Sequence, residues 1–337
     1  MNKKIELIIN QLTSLAKAKL RNTPQPAWIE PMLATLTETY FSNKNYLYEH
    51  KWDGIRIIAY KHGDTVKLMT RNKNIATNNY PEIAKSLKKY NFDFIIDGEV
   101  IATQQNRSSF GLLQQRMHRE DQHSTVAISY HVFDIMHIDN YNVTDLELLD
   151  RKFILQNAFN FKQPINLTEH ILSSGLEYFK EACSKGWEGV IAKEIHARYE
   201  IGTRSRNWLK FKCVEEQELV IGGFTRPQGH RLDFGALLLG YYDNEKLLYA
   251  GKVGTGFSFD TLKTLGAKLE KLKTEKNPFE SVDIPTHDVY WVKPKLVAEI
   301  RFTEWTSYNK LRHPRFLGLR DDKDAKEVTR EKAIKII

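Results

Sequence analysis

Apolar residues recur at two different spacings along the chain, and the spacings divide it into segments. Ile5, Ile8, Leu12, Leu15 and Ala16 fall three or four apart, which predicts an amphipathic helix at the amino terminus. Pro24 and Pro26 then break any helix, so residues 1–24 read as a helical extension. Beyond them, to about residue 214, strand and helix patterns mix. Ile55–Tyr60 and Thr65–Thr70 flank the turn Lys61-His62-Gly63-Asp64 and predict a hairpin. Short apolar runs at Phe94–Val100, Ile128–Ile135 and Gly189–Ala192 predict buried strands. Pro81–Tyr90, Phe110–Arg119, Leu148–Phe159 and Leu176–Ser184 predict helices between them.

After the acidic run Glu215-Glu216-Gln217-Glu218 the texture changes. Strand patterns occupy Leu219–Phe224, Ala236–Tyr242 and Lys246–Gly251; one helix follows over Phe259–Lys273, then strands at Val289–Val292 and Leu296–Phe302. Three strands, a helix and two strands is the chain order of an oligonucleotide-binding Greek-key barrel. The expected architecture is therefore an α+β domain over 25–214, with mixed and antiparallel sheets, followed by an all-β OB-fold barrel over 215–337.

Composition narrows the class. A chain of 337 residues suits about two domains, and 41% hydrophobic residues suit a globular protein. No apolar run approaches the ~18 residues that span a bilayer, and the basic amino terminus has no signal-peptide core. The cysteines, Cys183 and Cys213 alone, exclude a zinc cluster built on CxxC pairs and a disulfide framework. They suit a reducing compartment, so the expected location is the cytoplasm. A net charge of +8 favours a polyanionic partner held through its phosphates.

The chemistry concentrates in a few clusters. In Glu49-His50-Lys51-Trp52-Asp53-Gly54-Ile55-Arg56 a lysine sits among carboxylates, before a glycine that lets the backbone approach a ligand. Such a lysine attacks phosphorus once deprotonated; taken alone, Lys-x-Asp-Gly is also what a surface lysine before a β-turn looks like. Asp97-Gly98-Glu99 ends one strand pattern, and Glu188-Gly189-Val190-Ile191-Ala192-Lys193 brackets another. Lys210-Phe211-Lys212 puts two cations on one strand face. Arg312-His313-Pro314-Arg315 and Arg320-Asp321-Asp322-Lys323 stand near the end.

In this order the clusters resemble the motifs of the covalent nucleotidyltransferase superfamily: ATP-dependent DNA ligases, RNA ligases and mRNA capping enzymes. Glu49–Arg56 resembles motif I, Thr70-Arg71-Asn72 motif Ia, Asp97–Glu99 motif III and Tyr130–Asp134 motif IIIa. Glu188–Lys193 resembles motif IV, Trp208–Lys212 motif V and Arg312–Lys323 motif VI. Pro31–Leu36, Gly202–Lys210 and Arg312–Arg320 are most similar to the ligase module of bacterial end-joining DNA ligases. In that group the module is often fused to polymerase and phosphoesterase domains, for which this chain has no room; it resembles a stand-alone ligase core. The helical extension departs from the pattern.

The resemblance implies an ATP-dependent DNA ligase, with Lys51 as the nucleophile that carries AMP. It implies that Glu188 and Glu99 hold Mg²⁺ (or Mn²⁺), and that Lys210 and Lys212 neutralise the α-phosphate. Phe133 would stack on adenine while Glu49 accepts from its amino group. Arg56, Arg71 and Arg204 would contact ribose or nick phosphate; Arg312, Arg320 and Lys323 would orient the pyrophosphate. The implied partner is nicked duplex DNA, with a Ku-type end-binding protein as a second candidate and a monomer as the acting species. An RNA ligase, a capping-type nucleotidyltransferase and an inactive nucleic-acid-binding scaffold are the alternatives. Intact Lys51, Glu99, Glu188, Lys210 and Lys212 argue against the scaffold.

Overall fold

The computed structural model describes residues 2–104, 107–108, 112–113, 126–227, 233–280, 284 and 287–334. The helix expected over Phe110–Arg119 lies almost wholly outside them. The chain forms two compact units. One runs to Cys213 and regains the chain at Ala333; the other is Val214–Lys332.

In the first unit the extension is two helices, α1 (Lys3–Gln11) and α2 (Ser14–Lys19). The Thr13 side chain caps α2 by accepting from the Ala16 N–H. This restart rotates the second helix, so Leu15, expected on the apolar face, is 68% exposed. Ile5, Ile8, Ile9, Leu12 and Ala16 are buried in the unit's main core, together with Ile57, Phe94 and Phe159. The extension is thus part of the domain's core.

Two sheets make up the rest of this unit, with strands β1 (Leu33–Leu36), β2 (Tyr46–His50), β3 (Ile55–His62), β4 (Thr65–Thr70), β5 (Phe94–Gln104), β6 (Ile128–Ile138), β7 (Ile165–Leu167), β8 (His170–Leu172), β9 (Gly189–Glu194) and β10 (Arg204–Lys212). Helices α3 (Pro81–Leu87), α4 (Leu148–Ala158) and α5 (Gly175–Ser184) lie between them in sequence. In the eight-stranded sheet β6, β5, β3 and β4 lie side by side in that order, β4 at the edge, with β7 parallel to β6. The five-stranded sheet runs β8–β2–β9–β10–β1. Ile334, from the stretch assigned by sequence to the second domain, extends its β1 edge: its N–H donates to the Leu36 carbonyl at 2.9 Å. A disulfide joins Cys183 on α5 to Cys213 after β10, with Cα atoms 5.1 Å apart. Sequence gave these cysteines no bond, because a separation of 30 residues says nothing of the fold that brings them together.

The second unit is a six-stranded antiparallel sheet built on β11 (Glu215–Thr225), β12 (Leu237–Asp243), β13 (Lys246–Val253), β14 (Val289–Phe302) and β15 (Arg315–Leu319), with helix α6 (Phe259–Lys271). The two strands expected at Val289–Val292 and Leu296–Phe302 are one. Its register against β11 shifts between Ile221 and Gly223, and Pro294, which has no N–H to give a ladder, falls in that irregularity. Helix α6 packs Leu265 and Leu269 into this unit's core. The nucleotidyltransferase-plus-OB architecture expected from sequence is the one observed. No helix among the described residues is long and apolar enough to cross a membrane.

Candidate active site

Register on the five-stranded sheet decides which side chains meet. Along β2, Leu47 and Glu49 alternate with Tyr48 and His50, and Lys51 follows on the Glu49 side. Strand β9 sets Ile191 opposite Glu49, and the Lys51 N–H donates to the Gly189 carbonyl at 3.0 Å. Strand β10 sets Lys210 opposite Ile191 and Lys212 opposite Gly189. Glu49, Lys51, Lys210 and Lys212 therefore share one face. Phe211, between the two lysines, packs on the other with Tyr48 and Val190.

Two glycines permit the close approach. A Cβ on Gly189 would lie 2.0 Å from the Phe211 carbonyl oxygen, and one on Gly54 would lie 2.2 Å from that of Val100. Only glycine lets the Glu188 turn lie on β10 and the Lys51 turn lie on β5.

The Lys51 ammonium rests on the Glu188 carboxylate, and both side chains are largely buried. Burial alone would lower the Lys51 pKa. The Glu188 charge, backed by Asp53 and Glu99, outweighs it and holds the amine above the ordinary lysine range. Among the described residues no three metal-ligating side chains are grouped closely enough to hold an ion by themselves. Glu188, on the amine, and Asp53 and Glu99, whose charges also act on it, are nonetheless hard oxygen donors. They fit a Mg²⁺ ion that takes its remaining ligands from phosphate and water.

Glu49 differs from expectation in its surroundings. It is 2% exposed, with one carboxylate oxygen on Lys152 of α4 and the other 2.6 Å from the Lys193 ammonium. Lys193 lies between the rings of Phe133 and Trp208, at 4.4 and 4.1 Å from their centroids. Burial pushes its pKa down to about 8 despite Glu49. Neither lysine was singled out from sequence. Lys193 closes the motif IV cluster, whereas Lys152 lies on a helix with no local signal.

The other sheet supplies most of the remaining groups, Arg204 at the start of β10 excepted. Asp97 pairs opposite Asp134 and Gly98 opposite Val132, so Phe133 is the extra residue of a β-bulge, a device that re-aims a side chain beside a site. Arg56 is tied to Asp97, with Nε 2.9 Å from Oδ1, and its guanidinium lies 5.4 Å from the Phe133 centroid. The Tyr199 hydroxyl also donates to Asp97, at 2.7 Å. Glu99 lies opposite Arg56 in the ladder. Arg71 stands in the turn after β4, and Arg204 is exposed with Nη1 donating to the Ala34 carbonyl at 3.0 Å.

In the second unit, Arg312 Nη1 lies 2.6 Å from Glu304 and more than half of its side chain is exposed. Arg320 is buried among Asp322, Glu299 and Glu218, with both its Nε and its Nη2 2.9 Å from Asp322 oxygens. Lys323 Nζ lies 2.9 Å from Glu218. The three cations expected to act together are thus in two different settings.

Comparison with known proteins agrees with this geometry. The family model described as "ATP dependent DNA ligase domain" matches residues 31–212, and that of the "ATP dependent DNA ligase C terminal region" matches 230–323. The chain is 34% identical over 319 residues to the multifunctional non-homologous end joining protein LigD of Pseudomonas aeruginosa, covering 92% of this chain and 37% of that protein. It is 31% identical over 305 residues to DNA ligase 2 of Methanosarcina acetivorans, covering 83% of this chain and 52% of that one. The chain therefore spans about two fifths to one half of the length of these relatives. Among solved structures, mycobacterial DNA ligase D complexed with ATP and MES matches with TM-score 0.65 and 31% identity, over 90% of this chain and 98% of that one. By these matches the chain belongs to the ATP-dependent DNA ligase family.

Proposed function

We propose that this protein seals nicks in duplex DNA with ATP, in the service of end joining. One observation carries the reading: a buried lysine held on a carboxylate, with two further lysines on the same sheet face. Lys51, once deprotonated, attacks the α-phosphorus of ATP, and the bond to pyrophosphate breaks. The AMP then passes to the 5′-phosphate of a nick, releasing Lys51. The 3′-hydroxyl attacks that phosphate, AMP leaves, and the strand is closed.

The protein's work is charge stabilisation and in-line positioning. Lys210 and Lys212 neutralise the α-phosphate as negative charge gathers on it. Glu188 and Glu99 would hold Mg²⁺ (or Mn²⁺), which would supply further charge neutralisation at the phosphates. Phe133 offers its ring to adenine, and Glu49, held by Lys152 and Lys193, accepts from the adenine amino group. Arg56, Arg71 and Arg204 serve the ribose and the nick phosphate. Arg312 and Lys323 serve the leaving pyrophosphate.

We place the protein in the bacterial cytoplasm as a monomer, with nicked duplex DNA as substrate and a Ku-type end-binding protein as partner. The relatives' role in end joining and the charge of +8 support this. The test is incubation with α-labelled ATP and Mg²⁺, followed by nicked DNA. Label should appear first on the protein and then on the 5′ end of the nick. Label taken from GTP and not ATP would point to a capping-type enzyme, and no label from either would point to an inactive scaffold.

A further inference from the structure

Four aromatic rings form a column behind the nucleophile; three of them lie within the motif I and motif IIIa clusters, yet the mechanism above gives none of them a role. His50 lies between Trp187, at 3.8 Å and 10° between planes, and Trp52, at 3.8 Å and 30°. Trp52 continues to His131 at 4.0 Å and 43°. The rings come from four places: the end of β2, the turn after it, the turn between α5 and β9, and β6. The Trp52 indole N–H donates to Thr168 Oγ1 at 3.2 Å, and His131 Nε2 is hydrogen-bonded to Ser129 Oγ at 2.9 Å.

The position of this column matters more than its existence. Alternation along the chain puts His50 and Trp52 on one side and Lys51, between them, on the other. Trp187 immediately precedes Glu188, the partner of Lys51. His131 is two residues from Phe133 and lies opposite Glu99 in the ladder. The column thus joins the two turns that carry Lys51 and Glu188, and ties both to the strand of the other sheet that carries Phe133. The groups assigned to ATP are divided between those two sheets.

We infer that the Trp187–His50–Trp52–His131 column is a positioning element that sets where the Lys51 amine stands relative to the rest of the ATP site. Its rings touch none of the reacting atoms, so it acts through Lys51 and Glu188. On this reading the column governs the rate of AMP transfer and not the affinity for ATP. Stacking, and not mere filling of space, is what does this, since flat faces at van der Waals distance fix orientation as well as separation.

The inference rests on the ligase reading, and the experiment separates the two. Self-adenylation from labelled ATP is measured for the wild-type chain, Trp187→Phe and Trp187→Leu. Phe keeps a ring; Leu fills space without one. A nucleophile displaced by about 1 Å loses on the order of a hundredfold in rate, so Trp187→Leu should lose about ten- to a hundredfold in the adenylation rate constant at saturating ATP (the kcat-like quantity), with the half-saturating ATP concentration (the KM-like quantity) within about threefold. Trp187→Phe should stay within about threefold of wild type in both. Equal rates for Leu and Phe, or a loss expressed in KM alone, overturn the inference. Should Trp187→Leu fail to fold by circular dichroism, Trp52→Leu against Trp52→Phe decides on the same criteria. A wild-type chain that takes no label overturns the ligase reading and this inference with it.

Discussion

The Lys51 ammonium is paired with the Glu188 carboxylate, so the nucleophile is stored in its unreactive form. Reaction requires that Glu188 be drawn to another positive centre, which frees the amine to lose its proton. Lys51→Ala should therefore abolish transfer of label from ATP, yet leave measurable closure of a nick that already carries AMP, because only the first step uses the amine. A covalent AMP adduct on the variant would remove Lys51 from its role.

Glu188→Gln keeps the shape of the side chain and removes its charge. Self-adenylation should fall by about two to three orders of magnitude, the scale typical of losing a group that stabilises transition-state charge. The residual activity carries a second signature. Glu188 raises the Lys51 pKa, so its removal lowers that pKa, and the pH at which the rate levels off should move down. A profile that keeps its shape and position would show that the pairing does not control the amine.

Much of this site was legible in the sequence, and what was missed has a physical pattern. Lys210 and Lys212 on one face with Phe211 on the other follows from the two-residue repeat of a strand. The pairing of Lys51 with Glu188 depends on a register between β2 and β9, strands more than a hundred residues apart, which no local pattern encodes. The same holds for Lys152 on Glu49 and for the bond between Cys183 and Cys213. Arg320 was read with Arg312 because they share a motif. Only the fold shows that one is buried among carboxylates and the other half-exposed.

His50 and His131 are kept neutral by burial, which lowers their pKa values to about 3 and about 4. The charges of His131, Lys51 and Lys185 also disfavour the protonation of His50. In the unfolded chain both titrate near 6.5. Between that value and the folded ones the unfolded state binds more protons, so stability is complete above about pH 6.5 and lost as pH falls toward 4. The loss at pH 5 should be on the order of 2 kcal/mol per histidine at most. Thermal unfolding at pH 7 and pH 5 measures it, and His50→Phe, which preserves a ring, should shrink the difference. An unchanged difference would mean that His50 is protonated in the folded protein.

Ile5 is fully buried in the main core of the first unit, although it belongs to the extension. Ile5→Ala should destabilise this unit by about 2–5 kcal/mol, the range for removing a large aliphatic side chain from a packed core. The check is urea unfolding followed by circular dichroism. A change within about 0.5 kcal/mol, the usual span for surface positions, would show that the extension is peripheral to the domain.

Arg312 and Arg320 come from one motif, yet their surroundings assign them opposite tasks. The Arg320 guanidinium is 12% exposed and meets Asp322, Glu299 and Glu218. Asp322 is itself buried and held below the usual carboxylate range; burial would raise it, but Arg320 overrides that. Removing the arginine takes away the cation that Asp322, Glu299 and Glu218 share, so Arg320→Ala should cost about 3–5 kcal/mol of stability. Arg312 pairs at the surface with Glu304, an ion pair that contributes about 1 kcal/mol or less. Arg312→Ala should leave thermal stability nearly unchanged and still slow lysyl-AMP formation by about ten- to a thousandfold, if its cation serves the leaving pyrophosphate. Closure of a nick already carrying AMP releases no pyrophosphate and should be much less affected. Melting temperature, self-adenylation and single-turnover sealing of an adenylated nick, measured on both variants, separate the tasks. Equal loss by Arg312→Ala in both catalytic assays would mean that this cation serves DNA binding, and its place at the pyrophosphate would have to be given up.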